Sequence, residues 1–249
     1  MAHVAEKRAR FRRMHAAGCF VLPNPWDIGS LRRLEALGFE AVASTSAGLA
    51  WSLGKRDYEL RCAEVLTHLA SLCAATSLPV NADFEGGFAD APADVAANVR
   101  LVVAAGVAGL SIEDRLSGGL YPADVAVARV AAAKAAAGPE VVLVARCEAY
   151  LVGQNALAPV IARLAAFAAA GADCVYAPGV SDMAEIAALV RAVAPVPVNV
   201  LLRRGMSVGD LAGIGVRRVS VGGALAAAAW SGFDAAARVL RDEGRLAAG

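Results

Sequence analysis

Residues 79–113 read PVNADFEGGFADAPADVAANVRLVVAAGVAGLSIE, and their punctuation decides the fold. A short run entered through Leu78 and Val80 carries Asn81 and Asp83 and breaks at Gly86-Gly87. Pro92 then opens an alanine- and valine-rich stretch that ends at Ala105-Gly106. Proline at a first-turn position and glycine just past the last turn bracket a helix. A second short apolar run, Gly109–Glu113, follows at once. The unit is strand, helix, strand, and the same alternation extends in both directions.

Upstream, strands are predicted at Cys19–Leu22 and Glu40–Ser44, with helices near Ile28–Leu37 and Arg61–Ala75. Downstream, strands are predicted at Val141–Arg146, Asp173–Ala177, Pro197–Leu201 and Arg217–Val221. Helical runs follow them near Ala156–Ala170, Ser181–Ala194, Ser207–Gly213 and Ala224–Asp242, and another, Pro122–Ala137, follows Gly109–Glu113. Eight βα units in order predict an α/β fold, a (β/α)8 TIM barrel, as one domain over residues 1–249. A dinucleotide-binding open sheet would need G-x-G-x-x-G after its first strand, and the sequence has none there. The opening MAHVAEKRARFRRMHAAG contains Glu6 and lacks an apolar core. It reads as a basic amphipathic helix leading into the barrel, not as a secretory signal.

Composition removes several classes of function. With 24 basic and 23 acidic residues the formal charge is +1, which gives no electrostatic footprint for nucleic acid. The 58% hydrophobic content is largely alanine in helical runs. Arg163 interrupts one such run and Gly222–Trp230 is too short to span a bilayer, so no membrane association is expected. Cys19, Cys62, Cys73, Cys147 and Cys174 are odd in number and contain no C-x-x-C pair. That pattern predicts a reduced, cytoplasmic protein without disulfides or a zinc site. His3, His15 and His68 fall in helical stretches and form no metal-binding pattern.

In a (β/α)8 barrel the chemistry collects at the carboxyl ends of the strands. Those ends carry Asn24, Ser44–Ser46, Asp83, Glu85, Glu113–Arg115, Arg146, Glu148 and Asn199. If the third strand persists to Glu85, alternation puts Asn81, Asp83 and Glu85 on one face. Buried carboxylates require a cationic answer. Asp83 and Glu113, on neighbouring strands, suit a hard cation such as Mg2+. Arg146 suits an anionic substrate group, and the Ser44–Ser46 turn offers N–H donors to a developing oxyanion. Together they suit a chelated 2-oxo acid and its enolate. The competing reading is a salt-bridge network that only holds the barrel together. Cys147 points away from the rim and Asp57 reads as surface charge. Val221-Gly222-Gly223 reads as a strand–helix packing turn or a phosphate cradle, and Trp230 and Phe233 as packing or subunit contacts.

The segments NPWDIGSLRRLEALGFEAVASTSAGLAWSLGKRD, PVNADFEGGF, GVAGLSIEDR and VRRVSVGGALAAAAW, in this order and spacing, make the chain resemble the isocitrate lyase/phosphoenolpyruvate mutase superfamily. The resemblance implies a β/α barrel that binds Mg2+ (or Mn2+) and breaks or forms C–C or P–C bonds of 2-oxo or 2-hydroxy acids. It implies a metal shell of Asp57, Asp83 and Glu113, with Arg146 on the substrate anion. It places Thr45, Ser46 and Ala47 on the substrate carboxylate and Asn199 facing the ligand. It also implies a homo-oligomer, dimer or tetramer, whose last helix, Ala224–Leu240, packs on a neighbouring barrel. Two departures stand out. Asn81 falls where the family's acidic Asp-x-Asp pair is expected to begin, which shifts the expected metal toward Glu85. After IEDR the chain has LSGGLYPAD, without the lyases' catalytic cysteine or the phosphonate enzymes' Lys-x-Asn. An isocitrate or methylisocitrate lyase is therefore not expected, and Tyr121 and Glu85 become the candidate proton carriers. The expectation is C–C cleavage or decarboxylation of a small 2-oxo acid. The alternatives are P–C chemistry or a non-catalytic 2-oxo acid binder.

Overall fold

The computed structural model describes residues 2–246. In chain order it comprises α1 (Ala2–Ala16), β1 (Phe20–Leu22), α2 (Ile28–Ala36), β2 (Val42–Ala43), α3 (Ser46–Ser52), α4 (Cys62–Ala75), β3 (Val80–Asp83), α5 (Pro92–Ala104) and β4 (Gly109–Glu113). A hairpin, β5 (Arg115–Leu116) and β6 (Gly119–Leu120), interrupts the alternation. Then come α6 (Ala123–Ala137), β7 (Val142–Arg146), α7 (Leu157–Ala169), β8 (Cys174–Tyr176), α8 (Met183–Val193), β9 (Val198–Leu201), α9 (Val208–Gly213), β10 (Arg218–Ser220) and α10 (Ala224–Glu243).

Eight strands pair in parallel in the order β1-β10-β9-β8-β7-β4-β3-β2. The remaining seam, between β1 and β2, is bridged by the Ala43 N–H donating to the Pro23 carbonyl (3.0 Å). Buried Asn24 finishes the seam, donating to the Ser44 carbonyl (2.9 Å) and accepting from the Val221 and Gly222 N–H groups. The predicted TIM barrel is thus observed, and all eight predicted strands are present. Val- and Leu-rich strand faces turned outward meet the helices in a large apolar layer that includes Leu110, Leu143, Val175 and Val200. A smaller cluster lies inside, where Phe11 of α1 packs against Leu22, Val142 and Val144.

α1 closes the amino-terminal end of the barrel, and its basic residues have a structural use there. Buried Lys7 donates to the carbonyls of Cys73 and Thr76 at the carboxyl end of α4, at 3.0 and 2.6 Å. A cation at this end of a helix satisfies carbonyls that lack intrahelical donors. Arg8 likewise donates to the Val107 and Val103 carbonyls. The predicted excess of charge in this segment therefore caps the barrel.

One local reading needs correction, and two segments take a form the sequence did not reveal. β3 ends at Asp83, and Glu85 has φ 45, so the strand does not persist. A non-glycine residue in the left-handed region cannot continue a pleated strand. The turn expected at Ser44–Ser46 leads into a seven-residue helix, Ser46–Ser52, too short to show helical periodicity in sequence. LSGGL folds into the β5–β6 hairpin, turning at Gly118 with φ 84. Among the described residues no helix is long and apolar enough to cross a membrane.

Candidate active site

The carboxyl ends of β3, β4 and β7 bring Asp83, Glu113 and Arg146 together. β4 and β7 are in register at Glu113 and Arg146, so the two side chains leave the rim side by side. The Arg146 guanidinium reaches three carboxylates: Asp83 at 2.8 Å, Glu113 at 3.1 Å and Glu148 at 2.9 Å. Its flat face lies over the Tyr176 ring, 5.5 Å from the centroid. Burial alone would weaken the arginine's charge, but Glu148, Glu113 and Asp83 hold it firmly protonated.

Asp83 is also held from the other side. Its Oδ2 accepts from both the Ser46 N–H and the Ser46 hydroxyl, each at 3.0 Å. The same hydroxyl reaches Asp57 Oδ1 at 3.3 Å. A serine at the start of α3 therefore draws a loop carboxylate to a strand carboxylate. Asp57, read from sequence alone as surface charge, belongs to the rim, and its pKa is raised by burial and by Asp83. Glu85 joins from the loop after β3: it is buried, one carboxylate oxygen has no hydrogen-bond partner, and burial followed by Asp83 and Asp57 pushes its pKa up to about 8. Burial also raises the pKa of Glu113. Behind this layer, Asp114 accepts from the Glu148 N–H (2.8 Å) and pairs with Arg163 (3.1 Å).

The remaining predicted residues are placed as follows. Thr45 caps α3, its hydroxyl accepting from the Gly48 N–H at 3.2 Å. Gly48 is needed there, since a Cβ would lie 2.7 Å from Thr45 and 2.9 Å from Trp26. Ala47 follows in the first turn of α3. Asn199 lies inside the barrel, donating to the Ser220 hydroxyl at 3.0 Å. Asn81 also lies inside the barrel, where its side-chain oxygen accepts from Arg218 at 3.3 Å. The acidic side chains that the end of β3 and the loop after it bring to the rim are thus Asp83 and Glu85, while the Asn81 amide is engaged by Arg218. Tyr121 turns its hydroxyl to Asp90 and its ring to Arg129.

The phenol that faces the rim is Tyr58, which sequence reasoning passed over because a loop tyrosine carries no periodic signal. It has φ 66, an outlier for an aromatic residue. Arg115 stacks on its ring at 4.5 Å and donates to its hydroxyl at 3.3 Å, and Glu113 lines the same cleft. Tyr58, Gly86, Glu113, Arg115 and the hairpin turn line a cleft of about 460 Å3. A second cavity of about 380 Å3, between β6 and α7, contains Cys147 and Arg163 but no carboxylate.

The model of the phosphoenolpyruvate phosphomutase family matches residues 11–241. The chain belongs to this family. An uncharacterized protein of Mycobacterium tuberculosis is 35% identical over 95% of this chain and 90% of its own. An oxaloacetate decarboxylase of Paraburkholderia xenovorans is 32% identical over 96% of this chain and 82% of its own. A provisionally assigned lyase/mutase of Burkholderia cenocepacia superposes with a TM-score of 0.94 at 47% identity, covering 99% of this chain and 91% of that one. Both C–C and P–C chemistry occur among the phosphomutase-family relatives, which include 2-methylisocitrate lyase, oxaloacetate acetylhydrolase and phosphoenolpyruvate phosphomutase. The chain is an enzyme of this lyase and mutase superfamily.

Relatives of this kind are metal-dependent, and the rim supplies hard-cation chemistry. Asp83, Glu113 and Glu148 pair with Arg146, Ser46 ties Asp57 to Asp83, and Glu85 retains an unpartnered buried oxygen. Among the described residues no group of three or more histidine, cysteine, aspartate or glutamate side chains is arranged to hold a metal ion. Mg2+ does not need such a group, since it keeps waters and substrate oxygens in its shell and takes only one or two carboxylates.

Proposed function

We propose that the chain is a Mg2+-dependent enzyme, with Mn2+ as substitute, that breaks a C–C bond in a small 2-oxo or 2-hydroxy carboxylic acid through an enolate-like species. The carrying observation is the surplus of carboxylates over cations around Arg146, with Glu85 Oε1 left without a partner. Asp83 and Glu113 would hold the metal, assisted by Asp57 and Glu85, and the bound ion would supply the Lewis acid that polarises the 2-oxo group. Arg146 takes the distal anionic group of the substrate as a bidentate partner. Thr45, Ser46 and Ala47, at the start of α3, orient the nearer carboxylate, and Asn199 supports the ligand from within the barrel. In the decarboxylation of a 2-oxo dicarboxylate, the C3–C4 bond breaks, CO2 leaves, and the electron pair stays on C3 as the enolate. Tyr58, whose hydroxyl accepts from Arg115 in the cleft beside Glu113, would return a proton to that carbon. Oxaloacetate is the substrate favoured by the relatives.

P–C bond chemistry is the second reading, favoured by the family model's own description. Turnover of oxaloacetate, phosphonopyruvate and 2-methylisocitrate, measured with and without Mg2+, separates the readings. Oxaloacetate turnover that stops in EDTA is expected. Turnover of phosphonopyruvate alone would establish the second reading. No turnover, with 2-oxo acids still raising the Tm, would make the protein a binder.

The same proposal includes a homo-oligomer, dimer or tetramer. α10 has only Ala226 buried and exposes Trp230, Phe233 and Leu240, an apolar surface suited to a neighbouring barrel. Light scattering on Phe233→Glu should show a smaller assembly than wild type. A cytoplasmic location is supported by the five free cysteines.

A further inference from the structure

We infer that Arg129, on α6 behind the barrel wall, is the positioning residue that holds Glu85 in the rim cluster. Its metal-related half rests on the function proposed above. Three of the four residues from Glu85 to Phe88 have positive φ: Glu85 (45), Gly87 (79) and Phe88 (55). For glutamate and phenylalanine this conformation is costly and persists only where surrounding contacts over-determine it. One buried side chain supplies three of those contacts. Arg129, 1% exposed, donates Nη1 to the Ala89 carbonyl (2.6 Å) and the Asp90 carbonyl, and Nη2 to the Gly86 carbonyl.

The Tyr121 ring covers the guanidinium, 4.1 Å from its centre, and the Tyr121 hydroxyl ties Asp90. Asn98 adds a bond to the Gly87 carbonyl (2.9 Å), and the Glu113 N–H donates to the Glu85 carbonyl (3.0 Å). The loop is therefore gripped at its far end by Arg129 and at its near end by β4. Between the two grips stands the carboxylate whose Oε1 lacks a partner. No carboxylate pairs directly with Arg129 among the described residues, so it acts as a donor fork for carbonyls. A lysine has the charge but not the planar fork that reaches several acceptors at once.

The test compares wild type, Arg129→Lys, Glu85→Gln and the double variant, as full-length protein. Hydrogen exchange over residues 84–91 and Mn2+ binding by EPR are the readouts. Arg129→Lys should exchange about 10-fold faster in this segment alone and lose about 10-fold in Mn2+ affinity, as outer-shell substitutions do. The double variant should bind Mn2+ no worse than Glu85→Gln. Phe88→Gly, which removes one positive-φ penalty, should restore affinity when added to Arg129→Lys. Unchanged exchange, or losses that add in the double variant, would overturn the proposal. If wild type takes up no Mn2+, the metal reading fails while the exchange result still decides the role of Arg129. If Arg129→Lys does not fold, Tyr121→Leu, which strips the ring from the guanidinium, must show the same localised exchange or the proposal falls.

Discussion

Two arginines lie within the barrel, and the protein treats them in opposite ways. Arg146, at the carboxyl end, meets Asp83, Glu113 and Glu148, which keep it charged against the cost of burial. Arg218 meets the amide oxygen of Asn81 at 3.3 Å and stands 5.9 Å from the Phe11 ring centre, and burial lowers its pKa. One end of the barrel has more negative charge than its cations neutralise. In the layer that holds Arg218, no carboxylate pairs with it among the described residues. A further cation is stabilised only at the first, which is why the same residue type marks a reactive rim in one place and scaffold in the other.

Removing Arg146 should have the largest effect. Arg146→Ala leaves the buried Glu113 and Glu148 and the half-buried Asp83 without their cation, and breaking a buried ion pair from one side costs about 3 kcal/mol or more. Urea unfolding at pH 8 in EDTA should show that loss, and millimolar Mg2+ should recover much of it. Turnover should fall at least about 100-fold. A stability loss that Mg2+ does not touch would reduce the rim to scaffold.

Next comes the pair of tyrosines. Tyr58→Phe should lower kcat by roughly 100-fold, the range for loss of a positioned acid. Tyr121→Phe, which loses only the bond to Asp90, should cost about 1 kcal/mol of stability and leave kcat within a few-fold. The reverse order would return the proton-carrier role to Tyr121.

Glu85 gives a pH signature. Its folded pKa is about 8 against an ordinary 4.5, so the folded protein keeps a proton that the unfolded chain releases. The stability linked to this group is full below 4.5 and is lost as pH rises through 8. The metal-free Tm should therefore decline between these values, and Glu85→Gln should flatten the decline. The smallest change is expected at Arg218. Arg218→Met replaces a buried charge by an apolar chain and should stay within about 1–2 kcal/mol of wild type, with Mg2+ dependence unaltered.

Much of this was legible before folding. The eight strands follow from short apolar runs between alanine-rich helices, and Gly109–Glu113 has the bounds predicted for it. Asp83, Glu113 and Arg146 were placed together because side-chain alternation and strand order suffice to do so. Asp57 was legible only through the resemblance, since nothing in SLGKRD reveals that Ser46 would draw its carboxylate to Asp83. Tyr58 and Arg129 had no signal, being one loop residue and one helix position among many. Asn81 was read one layer too high, because an alternation of two gives the face of a strand but not the depth in a barrel.

The sequence by itself determined the (β/α)8 class, the end of the barrel that carries the charge, and the family. These depend on local periodicity and on residue order along the chain. Only the tertiary structure decided which carboxylates share Arg146, that Glu85 leaves the strand yet stays in the cluster, and that Tyr121 turns away while Tyr58 faces the cleft. Those outcomes depend on bonds between residues 30 to 80 positions apart, such as Ser46 to Asp83, Arg146 to Asp83 and Arg129 to Gly86. Strand register and backbone turns fix such distances, and neither is written in the pattern of any single segment.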